Sequence, residues 1–159
     1  MSENKKLSLI AFSGDFDKAI AAFTMASGAA AVNYEVNIFF TFWGLNILKN
    51  KKQRGLQGRG ALARGFNFLA GGFENLPMSR LNMLGMAPPL MSGLTRKRNV
   101  ATLKELFEAA KALGVKLYAC EMSMNILGLD LDDFIPEVRE VIGVPKFLDI
   151  SSGGETLFI

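Results

Sequence analysis

Residues 7–23, LSLIAFSGDFDKAIAAF, join an apolar run to an amphipathic run across a glycine, and this stretch sets the fold class. The run at 7–13 is almost wholly apolar, which is typical of a strand buried on both faces of a parallel sheet. Gly14 ends this run, and Asp15 is a suitable N-cap for a helix predicted over 16–32. We therefore predict a strand followed by a helix that packs on it, the first unit of an α/β fold.

The rest of the chain continues the alternation of strands and helices. Asn99 is expected to cap a helix at about 100–113, and Gly114 to end it. The alternation predicts an α/β sandwich around a mainly parallel sheet. The further predicted strands are 35–42, 115–119, 145–150 and 155–159, and the further predicted helices are a short segment after Trp43-Gly44, residues 121–129 and a helix near 133–142.

Residues 51–98 differ in composition from the rest of the chain, because glycine and proline are scattered through a segment rich in Phe, Leu and Met. Such a segment is too apolar for a disordered linker and too broken for a long helix. We predict a single domain over 1–159 with an insertion of short helices and loops at about 51–98. The insertion is expected to pack on the body, cover a pocket or meet another subunit.

Basic residues concentrate in the middle of the chain. Residues 36–104 contain eleven of them against one acid, Glu74, although the whole chain has a net charge of +3. The run KNKKQRGLQGRG at 49–60 suggests binding of a small anion such as thiosulfate, an acidic partner or a polyphosphate. It lacks the GxxxxGK[ST] pattern of a P-loop, and a solvated basic face is the alternative. Nucleic acid is not an expected partner, because the nearby aromatic residues look buried.

The chain has one cysteine and no histidine. This composition excludes an internal disulfide framework, Ser–His and Cys–His catalytic pairs, and most zinc and iron sites. We therefore expect no metal and no cofactor, and a reducing compartment, the cytoplasm. No run of eighteen uncharged apolar residues occurs, so membrane association is not expected.

Several polar and aromatic residues follow the first three predicted strands. Because the carboxyl ends of parallel strands meet at one edge of the sheet, where ligand sites form, we predict one site there. Its chemical group is Cys120, placed at a helix N-terminus where backbone N–H groups favour a thiolate. The residues predicted to line it are Ser13, Gly14, Asp15, Phe42, Trp43, Glu121, Met122 and Ser123.

Each of these residues also has a structural interpretation. Cys120 is equally well explained as a buried, inert thiol, and Asp15 as an ordinary helix N-cap. Trp43 suits plain core packing, and Met122 suits gap filling. The charge of Glu121 would oppose ionisation of the thiol if the carboxylate points inward.

Three segments in order along the chain resemble the DsrE/DsrF/DsrH-like sulfur-relay superfamily, in the branch labelled DsrE-like or peroxiredoxin family. They are GDFDKAIAAFTMASGAAAVNYEVNIFFTFWGLNIL at 14–48, LPMSRLNMLGM at 76–86 and GVKLYACEMSMNILGL at 114–129. The resemblance implies a three-layer α/β/α fold, a five-stranded parallel sheet of order 4-3-2-1-5, and a homo-oligomer. The peroxiredoxin label is not supported, because Leu-Tyr-Ala at 117–119 replaces the expected Pro and Thr before the cysteine.

The resemblance also implies a function. The persulfide-carrying cysteine of the family maps onto Cys120, and its relatives exchange sulfur with a small TusA-like carrier or a rhodanese-type donor. We therefore expect a sulfur carrier or sulfurtransferase-like protein that holds sulfur on Cys120 as a persulfide or thiosulfonate. The alternative is a non-catalytic oligomeric module that binds a small anion or nucleotide and uses Cys120 only for packing.

Overall fold

The computed structural model describes residues 5–50, 76–80 and 87–159. Five parallel strands form one sheet in the order β4-β3-β2-β1-β5, which confirms the expected fold class and strand order. The middle strand is therefore β2, and the last strand, β5, lies at the edge beside β1. The strands are β1 (Lys6–Ala11), β2 (Glu35–Phe40), β3 (Lys116–Cys120), β4 (Val138–Ile142) and β5 (Glu155–Phe158).

Helices cover both faces of this sheet. The α-helices are α1 (Phe16–Ala31), α2 (Ala87–Lys97), α3 (Leu103–Ala112), α4 (Glu121–Leu127) and α5 (Val144–Ser151), and short 3-10 helices occupy Phe42–Leu48 and Leu131–Asp133.

The two faces of the sheet carry cores of different size. On the first face, α1 and α3 pack over the strands, and the Phe23 ring meets the Phe107 ring edge-on with centroids 5.4 Å apart. On the second face, α5 packs over a small cluster. That cluster contains Phe39, Tyr118, Cys120, Ile142 and Phe147, with Ile10 and Ile150 at its margin.

The prediction for the C-terminal part was wrong in the type of two elements. Residues 138–142 form β4 where a helix was expected, and residues 144–151 form α5 where a strand was expected. VREVI is short and rich in β-branched residues, and it pairs with β3 around a bulge. In α5, Pro145 lies in the first turn, where its missing N–H costs nothing, and Phe147 and Ser151 fall on one buried face. The number of strands is unchanged, so the predicted order survives.

The expected cap of α3 was also misplaced. Thr102 is the N-cap in place of Asn99, and it forms a capping box with Glu105. The Glu105 backbone N–H donates to Thr102 Oγ1 over 3.4 Å, and the Thr102 backbone N–H donates to Glu105 Oε2 over 2.7 Å. Asn99 has a φ of 55°, a left-handed conformation that asparagine tolerates better than most residues.

Most of the expected insertion at 51–98 lies outside the described residues. Its described parts are α2 and residues 76–80. Leu76 is buried in the first core, and the carbonyl of Pro77 accepts the backbone N–H of Phe16 over 2.7 Å. Ser79 donates from both its backbone N–H and its hydroxyl to the Asp17 carboxylate. This short segment is thus attached to the start of α1. The single domain and its insertion remain predictions.

The turns that follow β1 and β2 are in backbone contact, and two glycines allow it. The Gly44 backbone N–H donates to the carbonyl of Phe12 over 2.8 Å. A Cβ on Gly44 would lie 2.0 Å from the Ala11 carbonyl oxygen, and one on Gly14 would lie 2.4 Å from the Trp43 carbonyl oxygen. A side chain at either position would therefore force the two turns apart.

We predict that Gly44→Ala destabilises the fold by about 3 kcal/mol, because the added methyl group would overlap backbone that cannot move aside. The matched control is Gly28→Ala on the exposed side of α1, where an added Cβ meets nothing within 4 Å. That control should stabilise the protein by about 1 kcal/mol through helix propensity. Urea unfolding of both variants measures the difference, and equal stabilities would refute the close contact.

Candidate functional site

The turns after β1, β2 and β3 adjoin at the carboxyl edge of the sheet, as the sequence predicts. Gly14 packs against Trp43 through the backbone contact described above. Thr41, at the end of β2, and Ser123, in the first turn of α4, share a buried hydrogen bond of 2.8 Å between their hydroxyl groups. The edge is therefore a continuous structure from β1 to α4. The binding roles of its residues stay predictions.

Cys120 is the last residue of β3 and the N-cap residue of α4. Its side chain is only 1% exposed. It belongs to the small cluster on the second face, with Phe39, Tyr118, Ile142 and Phe147. The thiol is therefore turned toward α5 and enclosed by apolar side chains. Its side chain makes no capping hydrogen bond to α4. The role of that helix at the thiol stays a prediction.

The three residues after Cys120 point in different directions. Glu121 and Met122 are exposed, whereas Ser123 is fully buried. The Glu121 carboxylate lies beside Gly143, with Oε2 3.8 Å from the point that a Cβ there would occupy. Gly143 is the N-cap of α5, so this negative charge faces the positive end of that helix dipole. The carboxylate therefore points to solvent and not into the thiol cluster.

Asp15 occupies the predicted N-cap position of α1 but does not cap the helix with its side chain. Its carboxylate accepts the Ser13 hydroxyl over 2.6 Å and lies 3.8 Å from Lys18 Nζ. The pair with Lys18 is solvent-exposed and adds little stability. Asp15 and Ser13 thus form a local turn interaction at the edge.

Aromatic rings form an exposed group on the β5 side of the edge. The Phe12 ring lies 5.5 Å from the Phe42 ring and 5.8 Å from the Phe158 ring, and Trp43 is partly exposed nearby in sequence. The predicted site residues include Phe42 and Trp43 but not Phe12 and Phe158. The signal was present in the strand order, because β5 beside β1 brings the ends of both strands together. Cys120 pairs with Ile142 of β4, on the opposite side of the edge.

Lys49, the first residue of the basic run, is not part of a solvated face. It follows the 3-10 helix at Phe42–Leu48, pairs with Phe134 in an isolated bridge and is 2% exposed. Burial lowers the pKa of Lys49 to about 8, and the nearby Asp133 carboxylate opposes that shift. The rest of the run, from residue 51, lies outside the described residues.

A pocket of about 230 Å³ lies on the first face of the sheet, away from Cys120. Leu117 contributes to it from β3 on the face opposite to the thiol. Its polar rim is the Lys111–Glu137 ion pair, with Nζ and Oε1 2.5 Å apart, and the hydrogen bond from Lys111 lowers the pKa of Glu137. The pocket lining is Phe23, Phe107, Ala110, Lys111, Val115, Leu117 and Glu137. No pattern in the sequence predicts this pocket.

The fold and the edge together define a class: a small α/β protein with one thiol buried at the carboxyl end of an inner strand of a parallel sheet. The chain belongs to the DsrE/DsrF/DrsH-like family, whose model matches residues 3–158. Among the described residues, no helix has the length and the apolar character needed to cross a bilayer.

Two relatives share most of their length with this chain. It is 38% identical over 159 residues to the uncharacterized protein YrkE of Bacillus subtilis, covering 99% of this chain and 98% of that protein. It is 33% identical over 153 residues to the sulfur carrier protein DsrE2 of Allochromatium vinosum, covering 94% of each.

Two solved structures show the same fold at low sequence identity. MTH1491 of Methanobacterium thermoautotrophicum has a TM-score of 0.53 at 13% identity, with 98% of this chain and 99% of that chain covered. The ychN protein of E. coli has a TM-score of 0.51 at 10% identity, with 97% of each chain covered. These similarities support the architecture alone.

The lowered pKa of Lys49 predicts a specific pH dependence of stability. Between pH 8 and 10.5 the unfolded chain binds a proton at this residue that the folded chain has lost, so its contribution makes the folded state more stable as pH rises. In Lys49→Met this rise is absent. The free energy of unfolding of the variant, relative to wild type, should therefore fall by up to about 3 kcal/mol across that window. Urea unfolding at several pH values measures it, and parallel curves for the two proteins would contradict the prediction.

Proposed function

We propose that this protein is an intracellular sulfur carrier with sulfurtransferase-like chemistry, which holds sulfane sulfur on Cys120 as a persulfide and passes it to a partner thiol. The observation that carries the proposal is the position of the chain's sole thiol, at the carboxyl end of an inner strand and inside an apolar enclosure. Similarity to a protein named as a sulfur carrier, over 94% of both chains, supports it.

The chemistry requires only one protein cysteine. The Cys120 sulfur attacks the outer sulfur of a donor persulfide, R–S–SH, and a new S–S bond forms on Cys120 as the donor's S–S bond breaks. The proton released from Cys120 leaves with the donor as R–SH. Delivery to an acceptor thiol reverses these steps, so the exchange involves no net oxidation and needs no resolving cysteine.

Thiosulfate is a second donor of the right chemistry. Attack of the Cys120 thiolate on its outer sulfur gives a persulfide and releases sulfite, again with balanced atoms and electrons. The basic residues in the middle of the sequence would attract this dianion. The macromolecular partner we propose is a small TusA-like carrier or a rhodanese-type donor, acting on a homo-oligomer of this chain.

The apolar enclosure suits a carrier. Phe39, Tyr118, Ile142 and Phe147 exclude water from the sulfur, which limits its loss to small oxidants and reductants in solution. The exposed aromatic group at the β5 side of the edge offers a surface that a partner protein would cover.

One observation favours the alternative, a non-catalytic binding module. A thiol that is 1% exposed within an apolar cluster is also what a purely structural cysteine looks like. The two functions differ in whether the folded protein takes up sulfur.

We predict that incubation of the folded protein with polysulfide, thiosulfate or tetrathionate adds sulfur or a thiosulfonate group to Cys120. Intact-mass spectrometry should show a gain that a reductant removes and that is absent in Cys120→Ser. The urea-unfolded protein serves as the control for intrinsic thiol reactivity. If the unfolded chain gains sulfur and the folded chain does not, Cys120 is structural and the binding-module alternative holds.

A further inference from the structure

The enclosure of Cys120 raises the question of how any donor reaches it. Among the residues that the structure describes, Phe147 and Ile150 of α5 are the members of the thiol cluster that do not come from the sheet. The Phe147 ring is fully buried and stacks on the Phe39 ring, with centroids 4.6 Å apart and planes 13° from parallel. A donor therefore meets Cys120 only after a cluster side chain has moved.

The helix α5 is the least firmly held part of this enclosure. It has eight residues, too few to be stable as an isolated helix, so its order depends on the side chains it buries. Val144 and Leu148 on its outer side are exposed. Polar interactions near its ends, a Lys146–Glu140 ion pair and a hydrogen bond from Lys6 Nζ to the Ser152 carbonyl, both lie at the surface. Solvent screens such contacts, and they contribute little.

The sheet face under α5 contains polar atoms that remain unpaired while it is covered. Ser8 of β1 and Asn37 of β2 are register partners, and both are fully buried. Within the described residues, the Ser8 hydroxyl and both polar atoms of the Asn37 amide have no hydrogen-bond partner. The hydrogen bond from Lys116 is the main cause of the lowered pKa of Glu35, and the Asn37 amide adds to it without a hydrogen bond of normal geometry.

Both residues lie on the face that α5 covers. Ser8 precedes Ile10 by two positions on β1, and Asn37 precedes Phe39 by two positions on β2, so each shares a face with a member of the thiol cluster. The helix starts after β4 and ends beside Lys6 at the beginning of β1. Burial of unpaired polar atoms is unfavourable, and water would satisfy them if α5 lifted.

We propose that α5 is a cover over the sulfur site that opens locally to admit the donor to Cys120. Phe147 closes the site, and the unpaired polar atoms of Ser8 and Asn37 favour the open state. The inference rests on the proposed function for its purpose, but the motion itself is a property of the fold. The closed state would hold the sulfur out of water, and the open state would exchange it.

Alkylation of Cys120 by N-ethylmaleimide, followed by intact mass, measures this opening without any sulfur donor. Phe147→Ala should speed alkylation by at least about tenfold, because the ring that closes the site is gone. Ser8→Ala and Asn37→Leu should slow it by roughly three- to tenfold, because they remove the unpaired polar atoms from under the closed cover. Leu148→Ala, on the same helix but 61% exposed, is the matched control and should leave the rate unchanged.

The urea dependence of the rate separates local opening from global unfolding. Local opening exposes little surface, so the wild-type rate should be nearly constant at low urea. A rate that rises with urea as steeply as global unfolding would overturn the proposal. So would rates in Phe147→Ala and Ser8→Ala that equal wild type, since the thiol would then be reached by another route.

The outcome is independent of the test for sulfur uptake. If Cys120 is alkylated through local opening but takes up no sulfur, the opening of α5 is supported and the carrier function is refuted. If Cys120 takes up sulfur but the variants do not change the alkylation rate, the carrier function is supported and the opening of α5 is refuted. Amide hydrogen exchange gives a second measurement, since residues 144–151 should exchange faster than β2 in the wild-type protein.

Discussion

The parallel direction of all five strands is the constraint on which the rest of the structure depends. Each parallel pair requires a connection that crosses back over the sheet, and these connections place helices on both faces. The same constraint brings every carboxyl end to one edge. Backbone hydrogen bonds join β1 and β5 at this edge. Phe12 donates its N–H to the carbonyl of Ile159, and Ile159 donates its N–H to the carbonyl of Ile10.

The two faces of the sheet carry cores of different size. The larger core lies on the first face, and the proposed sulfur site lies on the second. The first face is a large core in which α1 and α3 bury aromatic and aliphatic side chains without unpaired polar atoms from the described strands. On the second face, the described residues place the short helix α5 over a small cluster, and Ser8 and Asn37 lie on the same face. The second face, which contains the thiol, is therefore the one on which we propose local opening.

The sequence was sufficient for the fold class and for the edge that carries Cys120, because apolar runs ending in Gly14 and Cys120 mark strand ends by composition. It was not sufficient for the direction of the thiol. The predicted strand at 115–119 ends before Cys120 and leaves its side chain in a turn, with no defined face. In the structure, β3 extends to Cys120, and its pairing with β4 determines the face of the sheet on which the thiol lies. The helix α5, which we propose as a cover, was not predicted either, because residues 145–150 were expected to form a strand. Burial of Lys49 was missed because a charge count carries no information on packing.

For a carrier, the absence of a second cysteine and the apolar enclosure would both slow the loss of sulfur from Cys120. A resolving thiol within the chain would discharge a persulfide without a partner, and open water would expose it to small reductants. With one thiol and a closed cover, the sulfur has no internal acceptor and little contact with solvent. Its release then depends on a partner that supplies a thiol while α5 is open. On the proposed function, the opening of α5 on the second face therefore sets when sulfur is transferred. The polar residues at the carboxyl edge hold the neighbouring strands and helices in position around Cys120.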